Sequence, residues 1–536
     1  MSDRQATTDC TFNCPPMPPS MPVLDVHDDG LSSSRPNKRT KFDVAEANQP
    51  ILSLDPEEDA TLSRRHPLGV RPSGNAYLAE HNLKTSCGTL VAVPDELIAL
   101  ILETLDAATL LRLGATCRAL HAFTRNEELW RALFTASSPD SFEWRGTWRS
   151  TYLAQDRTLE PKVDCSNLFS DVLHRPFFCT YIDLRPYVTN IPRQNRIKRM
   201  ADCSASELFS SDRPLILTEP TKRWPVYHSW SIDNLLSAHA DVKFRAEAVD
   251  WPLSTYTTYM RANADESPLY LFDRSFAEKM SLAVPESTQS HLYDAQTPGL
   301  PHADYWPPTC FGSDQDLFSV LGPQRPDHRW LIVGPARSGS TFHKDPNGTC
   351  AWNAVIRGSK YWIMFPSSSS LPPPPGVFVS ADQSEVTSPL SIAEWLLTFH
   401  AEARATQGCQ EGICGEGELL YVPAGWYHLV LNLEESIALT QNFVPRHRLA
   451  DVLGFLKDKP DQVSGFKGDV KDPYALFVEK LHEKESEALE EALAKLDKKL
   501  KGGRGRWEEI KAPKEEEEAE GGFSFGFGGD DDGEIP

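Results

Sequence analysis

Hydrophobic and polar positions follow a different rule in each stretch of the chain. Over residues 1–88 apolar residues are sparse and have no period, and Pro15, Pro16, Pro18, Pro19 and Pro22 cannot join regular ladders. A disordered tail is expected there. Over 89–137 apolar residues fall at helical spacing: Leu97, Leu100, Ile101 and Leu105, then Leu110, Leu111, Leu113, Cys117 and Leu120, closed by Trp130, Leu133 and Phe134. Pro94, Asp95 and Glu96 stand where a first helix would begin. A small all-α module is expected. From about 175 to 450 short β-branched and aromatic runs alternate with turn residues: Pro214–Thr218, Leu269–Phe272, Trp330–Val333, Ala351–Ile356, Lys360–Phe365, Leu419–Val422 and Ile437–Phe443. Many short strands imply a mainly β sandwich or barrel with flanking helices. An insertion between Ser367 and Gly417 carries one expected helix, Ile392–Ala405. Residues 451–502 read as a helical extension, with one amphipathic helix over Tyr474–Leu500, and 503–536 as a disordered acidic tail.

Charge sharpens this division. The 536 residues carry 54 Lys and Arg against 76 Asp and Glu, a net −22, which argues against a chain coated in basic surface. The acidity is uneven: residues 511–536 hold two Lys against six Glu and three Asp, a net −7. The N-terminal tail instead carries the basic cluster Arg35-Pro-Asn-Lys-Arg-Thr-Lys41, readable as a nuclear import signal or as a solvated charge run. Nuclear localisation is the expectation, with the cytoplasm as a second compartment. The longest apolar stretch, Leu97–Leu113, is interrupted by Glu103, Asp106 and Arg112, so no membrane span is expected. The opening Met-Ser-Asp-Arg lacks the apolar core of a secretory signal, and eleven Cys form no framework. Both features point to a reducing, intracellular setting.

His-x-Asp occurs four times, at His27/Asp29, His239/Asp241, His302/Asp304 and His343/Asp345, so the tripeptide alone decides nothing. Context separates the four. The first lies in the tail, the second ends an amphipathic run over Ile232–Ala240, and the third sits in a Pro/Trp loop. The fourth follows the strand Trp330–Val333 and a small-residue turn, and two further strands come after it. On a strand, residues two apart share a face. His428, after the turn Pro423-Ala-Gly425, offers a third ligand. Two His and one carboxylate with open positions is the arrangement of non-haem Fe(II) oxygen chemistry. Zinc is less favoured, because no HExxH accompanies the set, and Cys409 and Cys414 read as ordinary loop thiols. Lys360 alternates with apolar neighbours on an expected buried strand. A buried Lys needs a partner, and a ligand carboxylate would serve.

Two resemblances add to this reading. The order of Leu-rich helices with "CRAL" and "LWRALF" resembles an F-box, whose family docks on the adaptor subunit of a cullin-type ubiquitin ligase; the docking segment would be 91–135. A helical cap packed on the next domain is the plainer reading. The stretches Gly334–Asn353 and "ELLYVPAGWYHLVLNLEESIALTQNF" resemble JmjC-domain oxygenases, in the branch of the phosphatidylserine-receptor-like arginine demethylase and lysyl hydroxylase. That resemblance implies a double-stranded β-helix, a jelly-roll cupin domain, over 175–450. It implies Fe(II) on His343, Asp345 and His428, 2-oxoglutarate as co-substrate and O2 as oxidant. It places Lys360 on the far carboxylate of 2-oxoglutarate, with Asn353, Thr440, Tyr270 and Ser340 around the same pocket; Ser340 stands where the branch has Thr. The implied activity is hydroxylation or demethylation of protein side chains, lysine or methyl-arginine, with histones or splicing factors as substrates. Competing readings are a ligase receptor whose β domain mainly binds clients, a cupin without 2-oxoglutarate use, and a tRNA-directed hydroxylase. Nucleic acid as a partner stays open.

Overall fold

Period-2 alternation sorts the β residues between two facing antiparallel layers. The computed structural model describes residues 64–511 apart from 140, 157, 159, 286–302, 312–314 and 369, with no side chains beyond 498. The larger sheet has nine strands, and its middle runs Leu419–Val422, Cys350–Arg357, Ser436–Phe443, Arg329–Gly334. The smaller has four, in the order Gln410–Cys414, Lys360–Phe365, Tyr427–Asn432, Gly339–His343. Ala351, Val355, Leu420 and Val422 of the large sheet meet Trp362, Met364 and Val430 of the small one in an inter-sheet core. Intervening residues point outward: Trp352, Ala354, Leu331 and Leu439 into the core under the N-terminal helices. Tyr361, Ile363, Leu429 and Leu431 pack against the helix Ile392–Ala405. This is the jelly-roll expected, with helices flanking it.

The helical module forms as four short helices, Asp95–Glu103, Ala107–Gly114, Arg118–Phe123 and Glu127–Ser137. Asp106 caps the second through its carboxylate on Thr109 N, and Asn126 caps the fourth on Glu128 N. Its core is not its own. Ile98, Leu102, Phe123, Trp130 and Phe134 belong to one continuous cluster with the outer face of the large sheet. Phe134 packs edge-on to Trp251, and Trp148 donates its indole N–H to Asp265, which also accepts from Tyr259. The plainer expectation of a cap packed on the next domain therefore describes one face of this module.

Three expectations change. Residues 64–88 are ordered rather than part of a disordered tail: Val70 and Cys87 are buried, and Arg71 bridges to Phe169. A few apolar anchors suffice once a neighbouring surface receives them, and composition averages hide that. Residues 1–63, including Arg35–Lys41 and His27/Asp29, lie outside the described residues. The single helix over Tyr474–Leu500 is two, Pro473–Lys484 and Ser486–Lys511, broken at Glu485; the second continues past 502. The loop assigned to Cys409 and Cys414 contains the edge strand Gln410–Cys414. Cys409 packs on the outer side of the small sheet and Cys414 on the inner side, so the two thiols cannot share a metal.

Candidate metal centre

Strand pairing assembles the three candidate ligands. His343 ends its strand directly opposite His428, and paired residues of antiparallel strands project to the same face. Their rings lie 4.1 Å apart, centroid to centroid. Asp345 follows two residues later, and one ligand atom from each of His343, Asp345 and His428 falls within 4.8 Å of the others. Among the described residues this is the only such group of His, Cys, Asp or Glu. His239 ends a helix, as its run suggested, and Asp304 accepts from Ala283 N instead; His27 and His302 lie outside the described residues.

Hydrogen bonds fix the ring atoms. His343 Nδ1 lies 2.7 Å from the Thr341 carbonyl oxygen, and His428 Nδ1 lies 3.0 Å from that of Trp426. A carbonyl only accepts, so both Nδ1 atoms carry the proton and both Nε2 atoms present a lone pair. Burial, reinforced at His343 by its neighbour His428, pushes both imidazoles down to about 4, so both are neutral at physiological pH. Asp345 is raised to about 6 by burial, against the opposing pull of His343 and a hydrogen bond from Asn442. Its Oδ2 is buried without a partner. Two neutral imidazoles and an orphaned carboxylate oxygen are the donor set a divalent iron takes, with protein ligands on one side only.

The residues expected around a co-substrate gather on the same inner surface. Lys360 is fully buried and its Nζ donates to Asn432 Oδ1 at 2.6 Å, with the Tyr270 ring 5.5 Å away. Burial lowers its pKa to about 7. No carboxylate pairs with it among the described residues, so a ligand carboxylate would satisfy both its charge and its remaining donors. Asn353 is buried with its Oδ1 unpartnered. Thr440 lies opposite Asn353 and donates its hydroxyl to the Trp352 carbonyl at 2.9 Å. Tyr270 and Ser340 form a hydrogen bond, and burial holds the Tyr270 phenol protonated.

Ser340 shows a feature that alternation alone does not give. It stands three positions before His343, so a regular strand would send the two side chains to opposite faces. A β-bulge intervenes: His343 pairs with His428 while Ser340 pairs with Val430. Both therefore face inward. Sequence reading missed Asn432, which holds Lys360 and donates to Ser338 Oγ at 2.8 Å. It also missed Asn442, which steadies Asp345 and donates to Thr349 Oγ1. Trp362 was missed as well; its ring centroid lies 5.8 Å from that of His428, and its buried Nε1 has no partner. Position was the available clue: Asn432 is the fourth residue after His428 and Asn442 the second after Thr440, so strand alternation places each on the site's face.

Comparison with known proteins finds matches to both the β domain and the helical module. A family profile described as a cupin-like domain matches residues 201–448, and an F-box-like profile matches 90–136. The chain is 37% identical over 448 residues to arginine-specific demethylase JMJ22 of Arabidopsis thaliana, covering 81% of this chain and 82% of that protein. It is 32% identical over 242 residues to the bifunctional arginine demethylase and lysyl-hydroxylase psr-1 of Caenorhabditis elegans, 43% of this chain and 55% of that one. Against the human 2-oxoglutarate and iron-dependent oxygenase JMJD4 it is 30% identical over 174 residues, 31% and 39% of the two chains.

Proposed function

The chain belongs to the JmjC-type, cupin-like iron- and 2-oxoglutarate-dependent oxygenases, here with an F-box-like module, and from that premise we propose that it oxidises a C–H bond on a basic protein side chain, methyl-arginine or lysine. One observation carries the reading: two neutral imidazoles and an unpartnered carboxylate oxygen converge within 4.8 Å, in the same inter-sheet space as an uncompensated buried lysine. A cupin that only stored metal would have no use for that lysine. Iron and 2-oxoglutarate, when bound with O2, supply the oxidising power. Residues of the chain supply the rest. His343, Asp345 and His428 would hold the metal. Lys360, steadied by Asn432, would grip the far carboxylate of the co-substrate, with Thr440, Asn353 and the Tyr270–Ser340 pair around it. The apolar wall of Ala351, Val355 and Trp362 excludes water.

Both product outcomes start from the same C–H oxidation. A hydroxyl on a methyl bonded to nitrogen is a carbinolamine, which collapses to formaldehyde and demethylated nitrogen; on a side-chain carbon the alcohol persists. The test is mass spectrometry of nuclear protein extract treated with wild type and with His343→Ala. The expected result is loss of 14 mass units from methyl-arginine or gain of 16 on lysine, only with wild type (round figures for CH2 and O). Identical peptide masses in both arms would overturn the reading.

A receptor role coexists with the enzyme on one observation. Leu97, Leu100 and Ile101 are exposed at 49%, 52% and 51%, while Ile98 and Leu102 of the same helix are buried. A helix face that leaves three large aliphatics in water suits an adaptor subunit of a ubiquitin ligase. Nuclear residence is proposed on the basic cluster Arg35–Lys41.

A further inference from the structure

A second cavity, of about 460 Å³, opens in the helical module and shares no lining residue with the metal centre. Leu110, Leu111, Pro161 and Val163 give it an apolar wall, and Arg118, Arg125, His121 and Arg149 give it a basic one. We propose that this cavity is an oxoanion-binding site, taking the carboxylate or phosphate of a ligand whose hydrocarbon part lies on Leu110, Leu111 and Val163.

The charges are arranged for an anion and are only partly compensated. Glu160 bridges two of the arginines, one oxygen to Arg125 and the other to Arg149, each at 2.6 Å. The module thus already holds one carboxylate between two guanidinium groups. Arg149 is buried at 9% exposure, with its guanidinium carbon 5.3 Å from the Trp130 ring centroid. Arg118 is exposed and makes no side-chain ion pair or hydrogen bond among the described residues. Other nearby carboxylates are committed. Glu127 accepts from the backbone N–H groups of Trp148 and Arg149, and Asp164 from Ser166 N. Glu160 is thus the carboxylate that forms ion pairs with this group among the described residues, while Asp164 acts on Arg118 and Glu127 on Arg149 only through space, so the Arg118 guanidinium keeps its hydrogen-bond donors for a ligand. His121 bonds the Gly114 carbonyl through Nδ1, and its Nε2 is buried without a partner. Arginine's planar fork suits planar or tetrahedral oxoanions, and a partly enclosed cavity strengthens such contacts.

The site asks for both parts of a ligand. Acetate offers the anion alone, hexanoate adds hydrocarbon, and inorganic phosphate tests the doubly charged form. Calorimetric titration of each into the full-length protein, and into Arg118→Gln and Arg118→Lys, separates the contributions. Expected is tighter binding of hexanoate than acetate in wild type, a loss of about tenfold in Arg118→Gln, and partial retention in Arg118→Lys. Phosphate above hexanoate would point to a phosphorylated source, and the reverse order to a carboxylate on an apolar body; both outcomes support the site. Turnover of 2-oxoglutarate stays unchanged in both variants, and anion binding to the catalytic pocket contributes equally to every arm. Binding that is equal in wild type and Arg118→Gln for all three probes would overturn the proposal.

Discussion

Lys360 shows how one residue sets both affinity and its pH dependence. It is fully buried, its only hydrogen-bond acceptor among the described residues is the neutral Asn432 amide, and burial lowers its pKa to about 7. The charged form is disfavoured in the free protein and favoured by a bound carboxylate. Lowering the pH through about 7 therefore prepares the lysine for 2-oxoglutarate, and raising it makes binding take up a proton. The apparent KM for 2-oxoglutarate should rise above pH 7, by up to about tenfold per pH unit. Lys360→Ala should raise that KM by about 10- to 100-fold at pH 7 and flatten the alkaline rise. Steady-state succinate assays across pH 6–9 check both; a variant with the wild-type slope would remove Lys360 from the pocket. His343 and His428 need no such adjustment, since burial and their backbone carbonyl partners already leave Nε2 unprotonated.

At the scale of the element, the bulge between Gly339–His343 and Tyr427–Asn432 decides whether the site exists. Gly339 makes it sterically feasible. A Cβ there would stand 2.0 Å from the Val430 carbonyl oxygen and 3.2 Å from Leu431 Cα, both backbone atoms that cannot step aside. Gly339→Ala should part the two strands, cost about 1–3 kcal/mol of stability, and weaken iron binding more than an equally destabilising change elsewhere. Thermal melts with and without Fe(II) check this; a full metal-induced stabilisation in the variant would contradict it.

The same two strands mark the limit of what the sequence shows. Lys360–Phe365, Leu419–Val422 and the helix Ile392–Ala405 are found over the residues the pattern predicted, because the two strands are short apolar runs with clear turn flanks and the helix has apolar residues at helical spacing. Gly339–His343 hides in small polar residues, since its partners, not its own side chains, make it a strand. Gln410–Cys414 hides likewise, buried at an edge by long-range pairing to Lys360–Phe365. His343, Asp345 and His428 were legible from strand context and Lys360 from its place among apolar neighbours, while Asn353, Thr440, Tyr270 and Ser340 rested on resemblance. Alternation could place Asn432 and Asn442 on the site's face, but their roles were not legible, because a hydrogen-bonded core amide looks like any other Asn until its neighbour is known.

Across the whole molecule, two chemistries share one hydrophobic core. The module's inward residues, Trp130 and Phe134 among them, belong to the cluster that underlies the large sheet, while Leu97 and Leu100 face water. A receptor so joined would hold its client and its oxidising site in a fixed relation. Leu97→Asp with Leu100→Asp should alter stability by no more than about 0.5 kcal/mol per site and abolish co-purification of the ligase adaptor, with oxygenase turnover retained. Ile98→Asp, at a site 2% exposed, should instead unfold the protein by burying an unpaired charge. Adaptor binding that survives the double substitution would leave the exposed face unexplained.

On the proposed function, His343, Asp345 and His428 would hold an iron that serves oxidation of substrate with 2-oxoglutarate. The most direct measurement of this is substrate-dependent succinate release with added Fe(II), comparing wild type with Asp345→Ala, both checked as folded by circular dichroism. Asp345 contributes the only carboxylate among the three ligands, so its loss removes the charge that balances the metal. Wild type should release succinate in an iron-dependent manner and the variant only a background level. Undiminished succinate from folded Asp345→Ala would contradict this assignment.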